Sequence, residues 1–399
     1  VYVLSSEDGA DSTISQTLKS YEEASSHIKV EYIDPLVNPQ FASSYSTSNL
    51  SQNSLIVETA KRYKVISYNE MYETEVDYST YSQNVTGYDG EGQLTSAISY
   101  CTSDDMPKIY IISGHNEYTL DSGFTTALEK ENIDYETISL MEYDAIPDDA
   151  ECIIIHAPEK DFSEDDANKV IDYLNNGGKA FITTEYVEEQ MPNFEKILSE
   201  FGLTIEKGYA VDTNAGNYYQ TPIYLLPNVE YSDETTGLTG SHTYVMAPYA
   251  EAIAVPDVDV DSITYTKLLT TSEKSLVKTD VKNATSFDKE EGDIEGPLCI
   301  GVKAEKTLDS GSAVLYVFSS AQFFTDNVDN AVSGNNRTLF TNIMSTIASH
   351  DVSVSVPVKS YDYDNLTAST KDVVLFETIV VILIPLALII TGFVVWFKR

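Results

Sequence analysis

The stretch Ile153–Thr183 reads IIIHAPEKDFSEDDANKVIDYLNNGGKAFIT and decides the fold of the chain. It begins with an apolar run and ends with Lys179–Thr183, which has the composition of a second buried strand. Between them, Ser163 and the acidic residues after it predict the start of a helix, and Gly177 predicts its end. Strands that are apolar throughout are buried on both faces, and their alternation with helices is typical of a parallel sheet. The stretch therefore predicts a strand–helix–strand unit of a doubly wound α/β domain.

Similar units lie on both sides of this stretch. We expect an α/β sheet domain over 107–350, with a doubly wound parallel sheet and a β-rich insertion at about 208–311. The insertion contains β-like runs that are rich in Tyr, Thr and Pro. The other predicted elements of the domain are the strands Lys108–Ile112, Tyr135–Leu140 and Ala313–Ser319 and the helices Gly123–Lys130, Phe194–Phe201 and Asn336–His350.

Residues 1–100 predict a smaller α/β unit. A helix capped at Asp11 is expected between strands at Val1–Leu4 and Ile28–Ile33. This β-α-β start is compatible with a thioredoxin-like shape, but no Cys-x-x-Cys is present, so we do not expect the redox chemistry of that shape. The segment Met71–Gly92 is acidic and rich in Tyr, and we expect it to be irregular.

The apolar run Val373–Phe397 predicts a transmembrane helix. It carries no charged side chain from Thr378 onward. About 20 apolar residues at ~1.5 Å each span the ~30 Å hydrocarbon core of a bilayer. Lys398 and Arg399 follow the run directly, so the positive-inside rule predicts that this end lies in the cytoplasm. The large domain before the helix is then expected outside the cytoplasm, held in the cell membrane by a single C-terminal anchor.

The polar residues 351–372 predict a stalk between the external domain and this helix. An external domain of this size requires export before its C-terminal helix is made. We therefore expect a signal sequence or a first membrane helix upstream of Val1.

The composition narrows the range of partners. The chain has 24 basic and 63 acidic residues, giving a net charge of −39. A surface of this sign repels phosphate backbones and anionic lipid head groups, so nucleic acid is not an expected ligand. The three cysteines are too few, and odd in number, for a disulfide scaffold.

Sequence motifs for catalysis and nucleotide binding are missing. There is no Gly-x-Ser-x-Gly nucleophile elbow, no Gly-x-x-x-x-Gly-Lys-[Ser/Thr] phosphate loop and no His-Glu-x-x-His. We therefore predict that the chain is not an enzyme and has no catalytic residues, metal or cofactor. If it works in an ATP-driven system, the ATPase must be a separate subunit.

Polar side chains follow the predicted parallel strands, at the edge of the sheet where ligands of open α/β sheets collect. We predict a ligand-binding site there, formed by His115, Asn116, Glu117, His156, Glu159 and Glu185. Imidazole and carboxylate groups are also the ligands of transition-metal sites, which is one alternative. The other alternative is a tight turn at Gly114–Glu117 in which His115 bonds to backbone groups.

Four stretches resemble the GldG-like auxiliary component of ABC transporters. They are GYDGEGQLTSAISY (Gly87–Tyr100), PKIYIISGHNE (Pro107–Glu117), Ile153–Thr183 and the closing segment Ser319–Met344. The resemblance covers most of the chain and weakens over Gly208–Gly311. It implies a sheet domain like that of glutamine amidotransferases without their catalytic residues, and an external partner of an ABC-2-type permease. Such families are linked to gliding motility in some bacteria, and no defined biochemical activity comes with them.

Together, the residues and the resemblance predict a non-catalytic extracytoplasmic auxiliary subunit of an ABC-2-type transporter. Its expected partners are the permease, a separate cytoplasmic ATPase, and a partner or substrate bound outside the membrane. Two other functions stay open. One is a cell-envelope hydrolase or carbohydrate-binding protein that uses a pocket between His115 and His156, and the other is a membrane-anchored scaffold without a small ligand.

Overall fold

The computed structural model describes residues 1–45, 50–77, 82–103, 106–240, 243–256, 262–309, 311–348, 356, 358–361 and 370–398. The chain divides into two compact units. Unit 1 comprises Val1–Pro107, Thr126–Asp134 and Ala348–Asn365, and unit 2 comprises Lys108–Thr125, Tyr135–Ile347 and Leu366–Arg399.

Unit 1 begins with a small mixed sheet. Its strands and helices up to the boundary are β1 (Tyr2–Val3), α1 (Ser12–Ala24), β2 (Glu31–Tyr32), β3 (Leu55–Glu58), β4 (Tyr63–Ile66), β5 (Tyr72–Asp77), β6 (Ser82–Tyr88) and α2 (Gly90–Thr102). The sheet order is β2–β1–β3–β4, with β1 parallel to β2 and the other pairs antiparallel. Asp11 caps α1 as predicted, because its carboxylate accepts hydrogen bonds from the N–H groups of Thr13 (2.8 Å) and Ile14 (3.1 Å).

The prediction of an irregular segment at Met71–Gly92 was wrong. Strands β5 and β6 pair there as an antiparallel hairpin, with a register shift between Glu73 and Thr74. The acidic residues of Tyr72–Asp77 alternate with Tyr, Thr and Val, which favour strands, and this alternation outweighs the acidic composition.

Unit 2 contains the large sheet. Its helices are α3 (Ser122–Lys130), α4 (Glu164–Asn175), α5 (Pro192–Ser199), α6 (Asp326–Ala331) and α7 (Asn335–Ala348). Its strands are β7 (Lys108–Ser113), β8 (Asp134–Ser139), β9 (Ala150–His156), β10 (Lys179–Thr183), β11 (Thr204–Glu206), β12 (Tyr209–Asp212), β13 (Tyr224–Leu225), β14 (Asn228–Val229), β15 (Ala247–Pro248), β16 (Ala252–Ala254), β17 (Ile263–Thr270), β18 (Ser275–Lys278), β19 (Ile294–Glu295), β20 (Cys299–Leu308) and β21 (Gly311–Phe318). Three of these elements cross the boundary between the units: the last residues of α3 and α7 and the first residue of β8 belong to unit 1.

The centre of the large sheet is parallel. Its main order is β11–β16–β20–β21–β10–β9–β7–β8, and β7, β9, β10 and β21 run parallel to their neighbours in this group. This confirms the α/β class with a central parallel sheet. Strands from the predicted insertion, β16, β17 and β20, extend the same sheet with antiparallel pairing. Strand β14 pairs with β17 in the same sheet, and the remaining insertion strands form a three-stranded sheet, β12–β18–β19, and a two-stranded sheet, β13–β15.

Helices cover both faces of the parallel strands. On one face, Ile153 and Ile155 of β9 share a hydrophobic core with Val170 of α4 and Phe194 of α5. On the other face, Phe181 of β10 packs edge-on against Phe340 of α7, with ring centroids 5.6 Å apart. Since successive residues of a strand point to opposite faces, apolar runs such as Ile153–Ile155 are needed for this arrangement.

The predicted stalk at 351–372 lies largely outside the described residues. Its described part includes β22 (Lys359–Ser360), which pairs antiparallel with β6 through Lys359 opposite Tyr88 and Ser360 opposite Gly87. This strand completes a three-stranded sheet, β22–β6–β5, in unit 1. The boundaries of the stalk stay a prediction.

The C-terminal helix runs from Thr370 to Lys398 and is a candidate membrane span. It comprises α8 (Thr370–Glu377), a π-helical stretch at Thr378–Leu383 and α9 (Ile384–Lys398). It has 29 residues with a mean hydropathy of 3.0 in its most apolar window, and its apolar side chains are exposed. The π-helical stretch lies just before Pro385, which has no N–H to donate and whose ring would crowd a regular turn.

We predict that Ile154→Ala destabilises unit 2 by about 2–5 kcal/mol, because Ile154 is fully buried in a central strand and its truncation leaves a cavity. Hydrogen exchange of the amides in β9, β10 and β21 reports this loss, since central strands open only with much of the structure around them. Met141→Ala is the control, because Met141 is 79% exposed and its truncation removes little packing. Equal protection of the amides in the two variants would contradict the assignment of β9 to the core.

Candidate functional site

The carboxyl ends of the parallel strands form one edge of unit 2. The register places Thr183 of β10 beside both His156 of β9 and Phe318 of β21. Beyond these ends, the N–H of Thr184 donates to the carbonyl of Phe318 at 2.9 Å, and the N–H of Tyr118 donates to the carbonyl of His156 at 2.8 Å. These bonds bring the loops that carry the predicted site residues to the same edge of the sheet.

His115 lies between two carboxylates. Its Nδ1 is 2.9 Å from Glu117 Oε1 and its Nε2 is 3.3 Å from Asp166 Oδ2. The imidazole stacks on Phe162, with ring centroids 3.8 Å apart and planes 10° apart. His115 is only 6% exposed, so both ring nitrogens have protein partners and the ring face is covered.

The two carboxylates determine the charge of this histidine. Burial by itself lowers the pKa of His115, but Glu117 and Asp166 outweigh burial and raise the pKa above its ordinary value. Burial opposes ionisation of Asp166 too, but Ser163, Lys169 and His115 together lower its pKa. The two carboxylates therefore favour the charged form of His115.

We call this arrangement the His115 clamp (His115, Glu117 and Asp166). It joins the loop after β7 to the first turn of α4. The N-cap of α4 is Ser163, whose hydroxyl oxygen accepts the N–H of Asp166 at 3.0 Å as predicted. The Asp166 carboxylate accepts a hydrogen bond from the Ser163 hydroxyl at 2.9 Å and faces His115 with the same oxygen, Oδ2. Asp166 was not among the predicted site residues, because its position in the first turn of a helix indicates only a capping role.

The turn that carries His115 uses backbone conformations with positive φ. Gly114 has a φ of 124° and Asn116 has a φ of 56°, a region that glycine and asparagine tolerate better than other residues. The N–H of His115 donates to Glu117 Oε2 at 2.7 Å within this turn. The ring nitrogens of His115 have carboxylates as their main partners, whereas the tight-turn alternative predicted that His115 bonds to backbone groups.

His156 has a different environment. It is 1% exposed, its Nδ1 is 2.7 Å from Thr183 Oγ1, and its ring meets Phe324 edge-to-face at 5.8 Å. Burial lowers its pKa to about 4, with a small opposing effect from the charge of Asp121. His156 is therefore neutral near pH 7, whereas the carboxylates beside His115 favour its charged form.

Glu159 and Glu185 lie near Tyr118. Burial raises the pKa of Glu185; the Tyr118 hydroxyl opposes this shift and the charge of Glu159 adds to it. Burial, together with the charges of both glutamates, also raises the pKa of Tyr118 to about 12. Thus Glu159 and Glu185 share one environment with Tyr118, and His115 has another.

Glu251 is a further acidic residue at this edge that the sequence did not indicate. It is 3% exposed, and its N–H donates to the carbonyl of Ser319 at 2.9 Å, just beyond the end of β21. Burial raises its pKa to about 8. Glu251 lies in a largely apolar stretch of the insertion, far in sequence from the other residues, so only tertiary pairing brings it to the site.

Within the part of the chain that the structure describes, no group of three or more His, Cys, Asp and Glu side chains is arranged to hold a metal ion.

Residues 106–343 match the model of a family of auxiliary transport components, which is described as an ABC-type uncharacterized transport system. The match covers more than half of the chain, and the chain belongs to this family. Membership in an ABC transport system implies a permease and an ATPase as general partners. No curated protein matches the sequence.

Several solved structures are similar at low identity. The mmIFT52 N-terminal domain is 15% identical over 62% of this chain and 100% of its own length, with a TM-score of 0.44. A glutamine amidotransferase from Thermotoga maritima is 6% identical over 62% of this chain and 100% of its own, with a TM-score of 0.36. A putative ThuA-like protein from Parabacteroides merdae is 12% identical over 66% of this chain and 97% of its own length, also with a TM-score of 0.36. These similarities are too distant to carry a functional argument.

We predict that His115→Gln and Asp166→Asn each destabilise unit 2 by up to about 3–5 kcal/mol, because each removes one charge from a buried ion-paired group and leaves the remaining charges with fewer partners. The stabilisation from His115 should be complete below the ordinary histidine pKa of about 6.5 and should be lost as pH rises through its higher folded pKa. The stabilisation from Asp166 should be present above about pH 4 and lost as pH falls through its lowered pKa.

Urea denaturation at a series of pH values, followed by hydrogen exchange in β7 and α4, measures these effects. His27→Gln is the control, because His27 is exposed. If His115→Gln retains the loss of stability at alkaline pH, the His115 clamp is not its origin.

Proposed function

We propose that this protein is a non-catalytic, extracytoplasmic auxiliary subunit of an ABC-2-type transporter. The observation that carries the proposal is the combination, in one chain, of a transport-family α/β domain with a 29-residue apolar helix. The helix exposes its apolar side chains, and a bilayer or the helices of a membrane partner would cover them. A domain held in this way acts at the membrane.

The basic residues after the helix support the external location. Lys398 and Arg399 follow the apolar run, and the positive-inside rule places such residues in the cytoplasm. A helix that crosses the membrane once then leaves the preceding residues on the outer side. The excess of acidic residues in the chain does not oppose this orientation, because the positive-inside rule counts Lys and Arg and is little affected by Asp and Glu.

Energy for transport has to come from another subunit. The sequence contains no Gly-x-x-x-x-Gly-Lys-[Ser/Thr] loop, so it lacks that means of binding ATP. We infer that a cytoplasmic ATPase and a multi-span permease supply the motor and the pathway. The external domain then binds a partner or a substrate and couples it to the permease.

The helix can contact a permease closely. Ala387 and Gly392 are small, and a Cβ placed on Gly392 would have no neighbouring atom within 4 Å. Small residues let helix backbones approach in membranes, where dispersion and hydrogen bonds replace the hydrophobic effect. Pro385 and the π-helical stretch before it give this helix an irregular surface that a partner can match.

We also propose that the chain belongs to the GldG-like branch of the family. The resemblance of Gly87–Tyr100 and Ser319–Met344 to GldG-like proteins supports a role like that of the gliding-associated transporters. The membrane-anchored scaffold is retained as an outcome of the experiments, and the envelope hydrolase and the carbohydrate-binding protein stay alternatives.

We predict that protease added to cells with permeable walls digests the domain before Ser369 and spares a short membrane fragment that includes Thr378–Phe397. The reason is the orientation set by Lys398 and Arg399. Immunoblotting with a C-terminal tag detects the fragment, and a cytoplasmic protein serves as the control for cell integrity. Full protection of the domain would contradict the external location.

We also predict that the gently solubilised protein co-purifies with a multi-span permease and an ATPase. Exchange of Thr378–Phe397 for an unrelated spanning helix should reduce this association and leave the external domain folded, because the helix supplies part of the contact. Crosslinking and mass spectrometry identify the partners, and circular dichroism checks the fold. Recovery of the isolated protein alone would favour the anchored scaffold.

A further inference from the structure

One charged residue interrupts the apolar C-terminal helix. Glu377 lies between Val373–Phe376 and Thr378–Phe397, and it is the only charged residue of the sequence between Asp372 and Lys398. Its side chain is exposed, and it has neither an ion pair nor a hydrogen bond to any residue that the structure describes. An acidic side chain in a membrane-spanning segment is costly without a partner, so its presence there indicates a function.

The length of the apolar run favours a protein partner beside Glu377. At ~1.5 Å per residue, Val373–Phe397 is ~37 Å long, whereas the hydrocarbon core of a bilayer is ~30 Å thick. If the core begins near Val373, Glu377 lies inside the hydrocarbon. If the core begins near Glu377 instead, the exposed apolar side chains of Val373–Phe376 lie outside it. In both cases, a protein surface beside this part of the helix would resolve the mismatch.

A backbone carbonyl close to Glu377 also lacks its donor. In the π-helical stretch, the N–H of Ile384 bonds to the carbonyl of Ile379. The carbonyl of Val380 therefore loses its α-helical donor, and its π-helical donor would be Pro385, which has no N–H. Val380 follows Glu377 by three residues, so the two acceptors lie within about one turn of each other.

The side-chain hydroxyls of the helix are used elsewhere. The hydroxyl of Thr378 donates to the carbonyl of Val374 at 2.7 Å, and that of Thr391 donates to the carbonyl of Ala387 at 2.6 Å. Backbone groups freed by a proline in a membrane helix are satisfied by neighbouring helices, by Ser and Thr side chains or by ordered water. Because both hydroxyls have other acceptors, a neighbouring helix is the best source of a donor within the hydrocarbon.

A second copy of this chain is not suited to this place. In a symmetric pair of parallel helices, Glu377 would meet its own equivalent, and like charges that face each other are unfavourable. The basic residues of the helix are distant, since Lys371 lies ~9 Å before Glu377 and Lys398 lies ~31 Å after it. The positive charge that pairs with Glu377 therefore has to come from a different protein.

We propose that Glu377 and the carbonyl of Val380 form a docking surface for a basic side chain, arginine or lysine, on a membrane helix of the permease. The positive charge neutralises the carboxylate, and the N–H groups of the same side chain serve both acceptors. Arginine fits best, because its guanidinium presents five N–H donors in a fixed fork. This inference rests on the proposed transport function and names the chemistry of one contact within it.

The test uses the full chain in its gently solubilised complex with the permease. The complex is immobilised through a tag on the chain, and the loss of permease with time gives a dissociation rate. Glu377→Gln keeps the side-chain shape and should raise this rate at least about tenfold, because hydrogen bonds between charged groups contribute this much to affinity. Loss of a charge also lowers the cost of membrane insertion, so the variant should insert as well as the native chain.

The control is Glu273→Gln, which removes the same charge from an exposed position of the domain before the helix and should leave the rate unchanged. Equal rates for the native chain and Glu377→Gln would overturn the inference and leave the transport function standing. Recovery of no permease with the native chain would contradict the transport function and this inference with it. Equal acceleration in the two variants would show a general charge effect and overturn the assignment.

A photoreactive side chain identifies the partner. p-Benzoylphenylalanine in place of Phe376 lies next to Glu377, and mass spectrometry identifies the peptide that it captures. We expect a permease helix with Arg or Lys within about one turn of the captured residue. Replacement of that basic residue by Glu should weaken the native complex, and Glu377→Arg should restore it. Capture of a second copy of the chain, of lipid alone or of a helix without a basic residue would overturn the proposal.

Pro385→Ala tests the contribution of the backbone carbonyl. It restores an N–H at this position and gives the Val380 carbonyl a donor within its own helix. The dissociation rate should rise about two- to tenfold, which corresponds to the loss of one hydrogen bond, and the Glu377 contact should remain. An unchanged rate in this variant would remove Val380 from the docking surface.

Discussion

The parallel pairing of Lys179–Thr183 with a strand on each side is the constraint on which the rest of unit 2 depends. Thr183 lies beside His156 on one side and Phe318 on the other, and the loops after β9, β10 and β21 start from these positions. Because a strand buried on both faces cannot shift by one residue without reversing its side chains, this register is strongly specified. The positions of Glu185 and Glu251 follow from it.

The two histidines show how position within this edge determines chemistry. His156 ends one parallel strand, His115 closely follows another, and both are buried, yet the pKa of His115 is raised and that of His156 is lowered. The difference lies in their neighbours, because two carboxylates contact His115 whereas a hydroxyl and aromatic rings contact His156. A histidine at the end of a parallel strand is thus no evidence for a ligand site until its partners are known.

Local sequence signals predicted much of the fold. The strand Lys179–Thr183 has the predicted bounds, and Ser163 caps α4 as predicted, because strand composition and capping depend on residues close in sequence. The structure of Met71–Gly92 was missed because alternation outweighed composition there. Glu251 was missed for another reason: its backbone is held by Ser319, just beyond the end of β21, and the local sequence carries no information about this tertiary contact. The predicted ligand residues divide between the His115 clamp and the surroundings of Tyr118, and this division depends on tertiary contacts alone.

Strand β22 has a consequence for the order in which the protein folds. Lys359–Ser360 supplies the third strand of the β22–β6–β5 sheet, so the N-terminal unit contains residues that follow the whole of the large sheet in sequence. During synthesis, β5 and β6 emerge more than 250 residues before their partner strand. The first unit to be made is therefore the last to be completed, and its open edge at β6 has to stay free of other strands until then. Closure of that edge coincides with the arrival of the apolar helix, so the N-terminal unit becomes complete only when that helix is about to be made.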